Sequence, residues 1–413
     1  MSKWISSHKN SNLMQSVELL FFGYLFYSLL AVPFDIYVPY LAVLWLFVLT
    51  LISLFVGDFG KNGKTMLLLV GFTTGLHLLI QLFVFKTSLA DPYNEPFWSW
   101  LILIIPVFVL TKRPGFFKHL AFAMFLIAVI LRFDLINKPS EAYVREALYS
   151  GSGIDNANDY AAWLGFCALI FWALGWKKHG LRRLLFWGMA VGGLMLLMLT
   201  VSRGALFALV VAGMCGIRFI PKHYRVRAVI GLGIIYLIFN MIPLTKTGLQ
   251  YYQLRLTEDT GRLTIWRASV QLIQLRPWLG YGTNVLGGSR NIARYGQIGI
   301  LPISSPHNPF LLLWLGSGIF PVIPFSVLWL IALRNSFRYG LNVLSDLDPF
   351  PLVVFGFITV FVANTTFAYV WGCAVIAYSY SFLESPMITI EKSVPKYSKP
   401  NSFENYSGRY KNM

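Results

Sequence analysis

The stretch LLFWGMAVGGLMLLMLTVSRGALFALVVAGMCGIRF, residues 184–219, has Arg203 as its only charged residue before the final turn. A helix needs about 20 predominantly apolar residues to cross the hydrocarbon core of a bilayer, so this stretch is too long for one span and long enough for two. The interruption TVSRGA contains Ser202, a residue type that caps helix N-termini. The sequence therefore predicts a helical hairpin with spans at 184–200 and 203–219.

The composition of the whole chain indicates a membrane protein. Of 413 residues, 56% are hydrophobic and only 12% are charged, whereas about a quarter of the residues of a soluble protein are charged. Lipid must therefore be the solvent for most of the surface. The net charge of +17 comes mostly from Lys and Arg in short loops and tails, where basic residues set membrane topology, and it does not indicate nucleic-acid binding.

Twelve apolar runs are long enough to be spans, including the two above. The run at 350–383 is divided at Asn364–Thr366, because the polar letters of ANTTF interrupt it. No A-x-A cleavage site follows the first run, so that run is interpreted as a retained span. The sequence predicts an all-α polytopic membrane protein with about 12 transmembrane helices, at 17–33, 38–56, 65–85, 97–111, 119–132, 159–175, 184–200, 203–219, 228–243, 309–332, 350–364 and 367–383.

Basic residues set the predicted orientation. With the N-terminus in the cytoplasm, the inner connections carry clusters of Lys and Arg, and a short outer loop carries only Lys86 beside acidic residues. This positive-inside pattern places both termini in the cytoplasm. Residues 1–385 are predicted to form one membrane-embedded domain, and the polar residues 386–413 are predicted to form a flexible cytoplasmic tail.

A long outer segment, about 244–308, is rich in arginine and long enough to escape the positive-inside rule. Within it, the apolar residues of 261–275 recur every three or four positions, which predicts an amphipathic helix on the outer surface, ended by Pro277. Arg262 lies in its first turn, where a cation opposes the helix dipole. A bound anion would explain that placement. The alternative is a solvated or lipid-facing arginine.

His307 is the only one of the six histidines on the predicted outer side. The next residues, Asn308 and Pro309, predict an N-cap and a first helical position for the tenth span. His307 would then lie at the outer interface, near the positive end of that helix. Arg203 lies at the outer end of its own span, where a charge is costly unless paired or useful. Taken singly, His307 would be an interfacial loop residue, and Arg203 would contact a phospholipid headgroup. Together with Arg262, these two residues indicate a functional site at the outer interface.

One outer histidine, two or more outer arginines and an apolar body suit group transfer from a lipid-linked substrate. No ATP is available outside the inner membrane, so the substrate must arrive already activated, as a sugar on a lipid pyrophosphate is. Arginines stabilise the negative charge that develops on the leaving group. The acceptor hydroxyl needs a base that titrates near the working pH, which histidine provides.

The same residues resemble motifs of the O-antigen ligase and O-antigen polymerase superfamily of bacterial inner-membrane proteins. SRGA at 202–205 is similar to that family's arginine at the outer end of a helix. GRLTIWRASVQLI, followed by RPWLGYG and ending at residue 282, resembles its periplasmic segment. PHNPFLLLWLGSG at 306–318 resembles its histidine–asparagine motif. The ordered set, on matching sides of the membrane, is more specific than any one motif.

The resemblance implies a GT-C-like, inverting glycosyltransferase that needs no metal and no cofactor and faces the periplasm. His307 would activate the acceptor hydroxyl, while Arg203 and Arg262 would bind the donor pyrophosphate. The donor would be a glycan on undecaprenyl pyrophosphate, and the acceptor a lipid A core or a growing glycan. Further candidates for substrate contact are Arg267, Arg290 and Asn308. Each has a simpler alternative: headgroup contact, loop packing or, for the asparagine, helix capping.

Two enzymes remain possible, a ligase and a polymerase, and they differ in the acceptor that they use. Phe207 and Trp266 stand four residues after the two arginines, where many ligases have leucine, so both activities stay open. A transporter of lipid-linked sugars would also suit twelve spans, but the spans lack acidic residues at membrane depth and the two halves do not look like repeats. A structural scaffold would not explain the arginine-rich outer segment. The sequence thus favours a ligase, with a polymerase as the alternative.

Overall fold

The described part of the chain is entirely helical in its regular structure. The computed structural model describes residues 2–30, 39–87, 95–113, 115–137, 157–199, 202–217, 226, 262–282, 306, 308–339, 347–362 and 369–381. Its helices are α1 Ser2–Leu30, α2 Pro39–Val56, α3 Gly60–Leu79 with a π-helical turn Ile80–Val84, α4 Glu95–Thr111, α5 Phe116–Asn137, α6 Ala157–Trp176, α7 Gly180–Leu199, α8 Arg203–Ile217, α9 Arg262–Leu275, α10 Pro309–Ser317, α11 Ile319–Tyr339, α12 Pro349–Val362 and α13 Tyr369–Ser381.

Three of these helical segments are long and apolar enough to cross a membrane: Gly60–Val84, Gly180–Met198 and Ile319–Arg338. Shorter apolar helices accompany them, among them Tyr40–Val56 and Tyr160–Trp176. Many large apolar side chains on the described helices are exposed, as lipid-facing surfaces require. This all-helical architecture agrees with a polytopic membrane protein. The count of twelve spans stays a prediction, because the run at 228–243 lies outside the described residues.

The helical hairpin predicted at 184–219 is confirmed. Helix α7 ends at Leu199 and α8 begins at Arg203. Ser202 is buried, and its Oγ accepts a hydrogen bond from the backbone N–H of Ala205 at 3.5 Å, as the predicted cap requires. The predicted division of 350–383 at Asn364–Thr366 lies outside the described residues, between α12, which ends at Val362, and α13, which begins at Tyr369.

Helix α8 packs against α12, and the two helices run in opposite directions. A Cβ atom built at Gly216, in the last turn of α8, would lie 3.5 Å from Cγ of Pro351, in the first turn of α12. The start of α8 is therefore directed toward the end of α12. Helix α6 packs on the same pair, where Gly165 lets the ring of Phe355 approach its backbone.

The tenth predicted span, 309–332, is wrong as a single helix. Helix α10 ends at Ser317, and α11 begins two residues later, after Gly318. Gly318 has φ 71° and ψ −169°, a conformation that is essentially restricted to glycine. With nine residues, α10 is about 14 Å long, less than half of the hydrocarbon thickness, whereas the 21 residues of α11 suffice to cross it.

The break lies against a distant part of the chain. A Cβ atom at position 318 would lie 1.9 Å from the carbonyl oxygen of Trp278, so only glycine admits this backbone. A local reading of an apolar run cannot detect this contact, because the two residues are far apart in sequence.

Replacing Gly318 with alanine is expected to destabilise the protein by at least about 2 kcal/mol, because the Cβ atom meets the Trp278 carbonyl and the backbone conformation is strained. The measurement is the apparent melting temperature of the purified protein in detergent. Gly71→Ala in α3 is the matched control, because no atom lies within 4 Å of its added Cβ. An equal melting temperature for both variants would contradict the described break.

Candidate functional site

Two of the sequence motifs meet where α9 and α10 lie side by side. The indole Nε1 of Trp266, near the start of α9, donates to the carbonyl oxygen of Pro306 at 2.9 Å. Near the other end, Leu272 and Ile273 form a small buried apolar cluster with Leu315 of α10. The two helices therefore begin at the same end and run in the same direction. The predicted amphipathic helix at 261–275 is confirmed as α9.

A docking turn, residues 277–282, joins the end of α9 to the break between α10 and α11. The backbone N–H of Tyr281 donates to the carbonyl of Leu315 at 2.6 Å, and that of Gly282 donates to the carbonyl of Gly316 at 3.0 Å. These carbonyls belong to the last turn of α10, where intrahelical donors run out. The GYG sequence thus supplies the missing donors.

The docking turn is also held by contacts of Pro277 and Gly280. The carbonyl of Pro277 accepts from the backbone N–H of Ile319 at 3.0 Å and from the indole Nε1 of Trp314 at 2.9 Å. Gly280 has φ 70°, and a Cβ atom there would lie 2.4 Å from the carbonyl oxygen of Leu315. Glycine is required at this position both for the conformation and for the close approach.

A buried polar cluster on the other side of the break was missed by the sequence reasoning. Nδ1 of His77 lies 2.7 Å from Oγ of Ser317, and Nε2 of Gln81 donates to that same Oγ and to the carbonyl of Gly316, both at 2.8 Å. Thr87 Oγ1 donates to Oε1 of Gln81 at 3.3 Å. This His77 cluster ties α3 and its π-helical turn to the end of α10. In the sequence, this cluster is indicated by His77 and Gln81, two polar residues four positions apart inside an apolar span.

Asn308 is confirmed as the predicted helix cap. Its Oδ1 accepts from the backbone N–H groups of Phe310 and Leu311, at 2.9 and 3.2 Å, and its side chain is buried. Pro309 occupies the first helical position of α10. Both observations match the expected start of this helix. A contact between Asn308 and substrate stays a prediction.

The structure describes the backbone or the side chain of some of the remaining candidate residues and neither for the others. Arg203 and Arg262 are the first residues of α8 and α9, and their side chains lie outside the described set. Arg267 lies on α9 with an exposed side chain. His307 and Arg290 fall outside the described residues.

The start of α10 lies beside the second half of α12, and the start of α9 lies beside that of α10. The ring of Phe310, at the start of α10, lies 6.3 Å from the ring of Phe357, in the second half of α12. The start of α8 is directed toward the end of α12, and the start of α9 lies beside Pro306. Helices α8 and α9 each begin with an arginine at their positive dipole end. A helix start of this kind can attract and hold an anion.

Among the residues that the structure describes, no group of three or more His, Cys, Asp and Glu side chains is placed to hold a metal ion. A reaction without a metal stays a prediction, because His307 and much of the outer segment are not described.

The fold and the apolar helices define the chain as a helical membrane protein. Residues 188–326, about a third of the chain, match the family described as O-antigen ligase, and this match confirms the predicted resemblance to the O-antigen ligase and polymerase superfamily. The matched segment contains every candidate site residue named above, while His77 and Gln81 lie before it. No curated protein matches the chain.

Asn308→Ala is expected to cost about 1–2 kcal/mol of stability, because two N–H groups at the start of α10 lose their acceptor. Asn308→Ser is the matched variant, since serine keeps a capping oxygen and should retain most of the stability. Thermal unfolding and glycan transfer are measured for both. A serine variant that is stable yet inactive would indicate that the asparagine also contacts substrate.

Proposed function

We propose that this protein is an O-antigen ligase that transfers polysaccharide from undecaprenyl pyrophosphate to a hydroxyl group of a lipid A core. The transfer inverts the anomeric configuration and uses neither metal nor cofactor. One observation carries the proposal: the residues that start or cap α8, α9 and α10 are those of the three family-like motifs, and the starts of α9 and α10 lie side by side. The family match over 188–326 supports the same reading.

The donor pyrophosphate binds at the starts of α8 and α9. A cation at the first position of a helix opposes the helix dipole, unless an anion lies between the guanidinium and the free N–H groups. Arg203 and Arg262 both occupy such positions. Their charges stabilise the pyrophosphate as it leaves, which is the largest electrostatic requirement of the reaction. Arg267 and Arg290 supply further contacts to phosphate or sugar.

His307 acts as the base. It accepts the proton of the acceptor hydroxyl while the hydroxyl oxygen attacks the anomeric carbon of the donor, and the bond from that carbon to the pyrophosphate oxygen breaks with its electron pair. The described neighbours support this role, because the Pro306 carbonyl accepts from Trp266 and Asn308 caps α10. The chain is therefore anchored on both sides of position 307, as a preorganised catalytic group requires.

The reaction takes place at the periplasmic face of the bacterial inner membrane, and both termini are cytoplasmic. The positive-inside pattern of the connections supports this orientation. A GT-C-like arrangement of about twelve spans would leave a lateral groove between helices for the lipid tail of the donor.

A polymerase is the second candidate. It uses the same lipid-linked donor, and its acceptor is a growing glycan in place of a lipid A core. The superfamily that the family match supports contains both ligases and polymerases. Phe207 and Trp266 do not distinguish the two activities. A transporter of lipid-linked oligosaccharides is less favoured, since the arginine and histidine motifs serve no purpose in it.

His307→Ala is expected to lower glycan transfer at least about 100-fold, because the acceptor hydroxyl loses its base. The measurement is a lipopolysaccharide gel of a deletion strain that carries the variant, with immunoblotting of the membrane fraction to confirm insertion. His179→Ala, which changes an exposed histidine on the α6–α7 connection, is the matched control and should restore wild-type glycan. Full activity of His307→Ala in the presence of a normal protein level would refute the proposed mechanism.

Deletion of the gene separates the two enzymes. A ligase deletion should leave lipid A core without any O-antigen, because no repeat unit reaches the core. A polymerase deletion should leave core carrying a single repeat unit, because attachment continues without elongation. The gel pattern of the deletion strain therefore tests the acceptor assignment, and a ladder of normal length would exclude both activities.

A further inference from the structure

A groove of about 560 Å³ lies between α1 and α5, next to the connection that follows α4. It has a polar end and an apolar limb. The polar end contains Glu18 of α1, Arg113 after α4 and His119 in the first turn of α5. The proposed transferase site does not use this groove, since it is built from α8, α9 and α10.

The polar end consists of a covered carboxylate and two accessible donors. Glu18 has a side chain only 8% exposed; one of its oxygens pairs with Nη1 of Arg113, and the other accepts from Nδ1 of His119 at 2.9 Å. The side chains of Arg113 and His119 are 25% and 45% exposed. A buried carboxylate with two partners holds them in place. The groove therefore presents two accessible donors, one of them a cation, beside a carboxylate that is mostly covered.

The contacts of the guanidinium leave it suited to a second anion. Arg113 meets Glu18 and the carbonyl oxygen of Met14 through the same nitrogen, Nη1. A guanidinium has five N–H donors in a fork that matches phosphate geometry. Lys118 lies one residue before His119 in the first turn of α5, so a second cation of that turn is close in sequence to the groove.

The apolar limb has the length of a lipid chain within one leaflet. It follows one face of α1, through Leu19, Phe22 and Phe26, and is completed by Phe122 of α5. From Glu18 to Phe26 the helix rises about 12 Å, and one leaflet contributes about 15 Å of hydrocarbon. The charged end therefore lies at headgroup level when the limb lies among acyl chains.

We propose that this groove binds a membrane phospholipid, with its phosphodiester at Arg113 and His119 and one acyl chain along α1. An apolar limb alone would fit any lipid, but the accessible cation at its end selects a ligand with a negative charge at headgroup depth. The bound lipid fills the space between α1 and α5 and joins the first helix to the α4–α5 connection. With the predicted topology, this is a lipid of the inner leaflet, on the opposite side of the membrane from the proposed transferase site.

The test is native mass spectrometry of the full-length protein, purified in detergent and titrated with dioleoyl phosphatidylglycerol. Wild-type protein should retain one phospholipid, and dioleoylglycerol, which has the same chains and no phosphate, should bind at least about tenfold more weakly. Inorganic phosphate should not displace the phospholipid, because the acyl chain contributes to binding. Equal retention of the two dioleoyl lipids, displacement by inorganic phosphate, or preference for a polyprenyl phosphate would overturn the proposal.

Two variants address the two ends of the groove separately. Ala123→Trp places an indole in the apolar limb and leaves the ion pairs intact. The double variant Glu18→Gln with Arg113→Gln removes both charges together, so that no buried carboxylate is left unpaired. Each should reduce phospholipid retention at least about tenfold, while the matched control Arg338→Ala, an exposed arginine in the last turn of α11, should not. Unchanged retention in both groove variants, in monodisperse protein, would refute the site.

Discussion

The hydrogen bonds between the docking turn and the end of α10 are the constraint on which the rest of the site depends. A backbone carbonyl without a donor costs several kcal/mol in hydrocarbon, so a helix can end within an apolar region only where the protein supplies donors. Tyr281, Gly282 and Gln81 supply them for the carbonyls of Leu315 and Gly316. The break at Gly318 is thus stabilised from two sides, by the turn after α9 and by the polar face of α3.

This arrangement determines where the family-like motifs lie. Because the docking turn holds the end of α9 against the end of α10, the two helices stay parallel and their starts stay together. The Trp266 indole then reaches the Pro306 carbonyl, immediately before the segment that Asn308 caps. Helix α8 packs on α12, and the ring of Phe310 packs on Phe357 of the same helix. Motifs separated by about a hundred residues therefore pack on one helix, through backbone contacts of the docking turn and through side chains of the motifs themselves.

The sequence predicted those features whose causes are local. The α7–α8 hairpin, the caps at Ser202 and Asn308 and the amphipathic helix α9 each follow from a few adjacent residues, and each is confirmed. The α10–α11 break was missed because the chain that packs against it, at Trp278, lies about forty residues earlier. The His77 cluster was missed because its partners come from opposite ends of the chain. The roles of His307, Arg203, Arg262, Arg267 and Arg290 were inferred from motif order, and they stay predictions, since the groups that would act lie mostly outside the described residues.

The π-helical turn at Ile80–Val84 limits where insertions and deletions can occur in homologous sequences. Such a turn accommodates one residue more than the regular helix, and each residue of a helix turns the backbone by about 100° and advances it by about 1.5 Å. Loss of a single codon within the turn would swing Thr87 and Phe85 away from Gln81 and Gly282, their present neighbours. We therefore expect insertions and deletions among homologues to avoid this segment, even though Phe83 and Val84 in it are exposed.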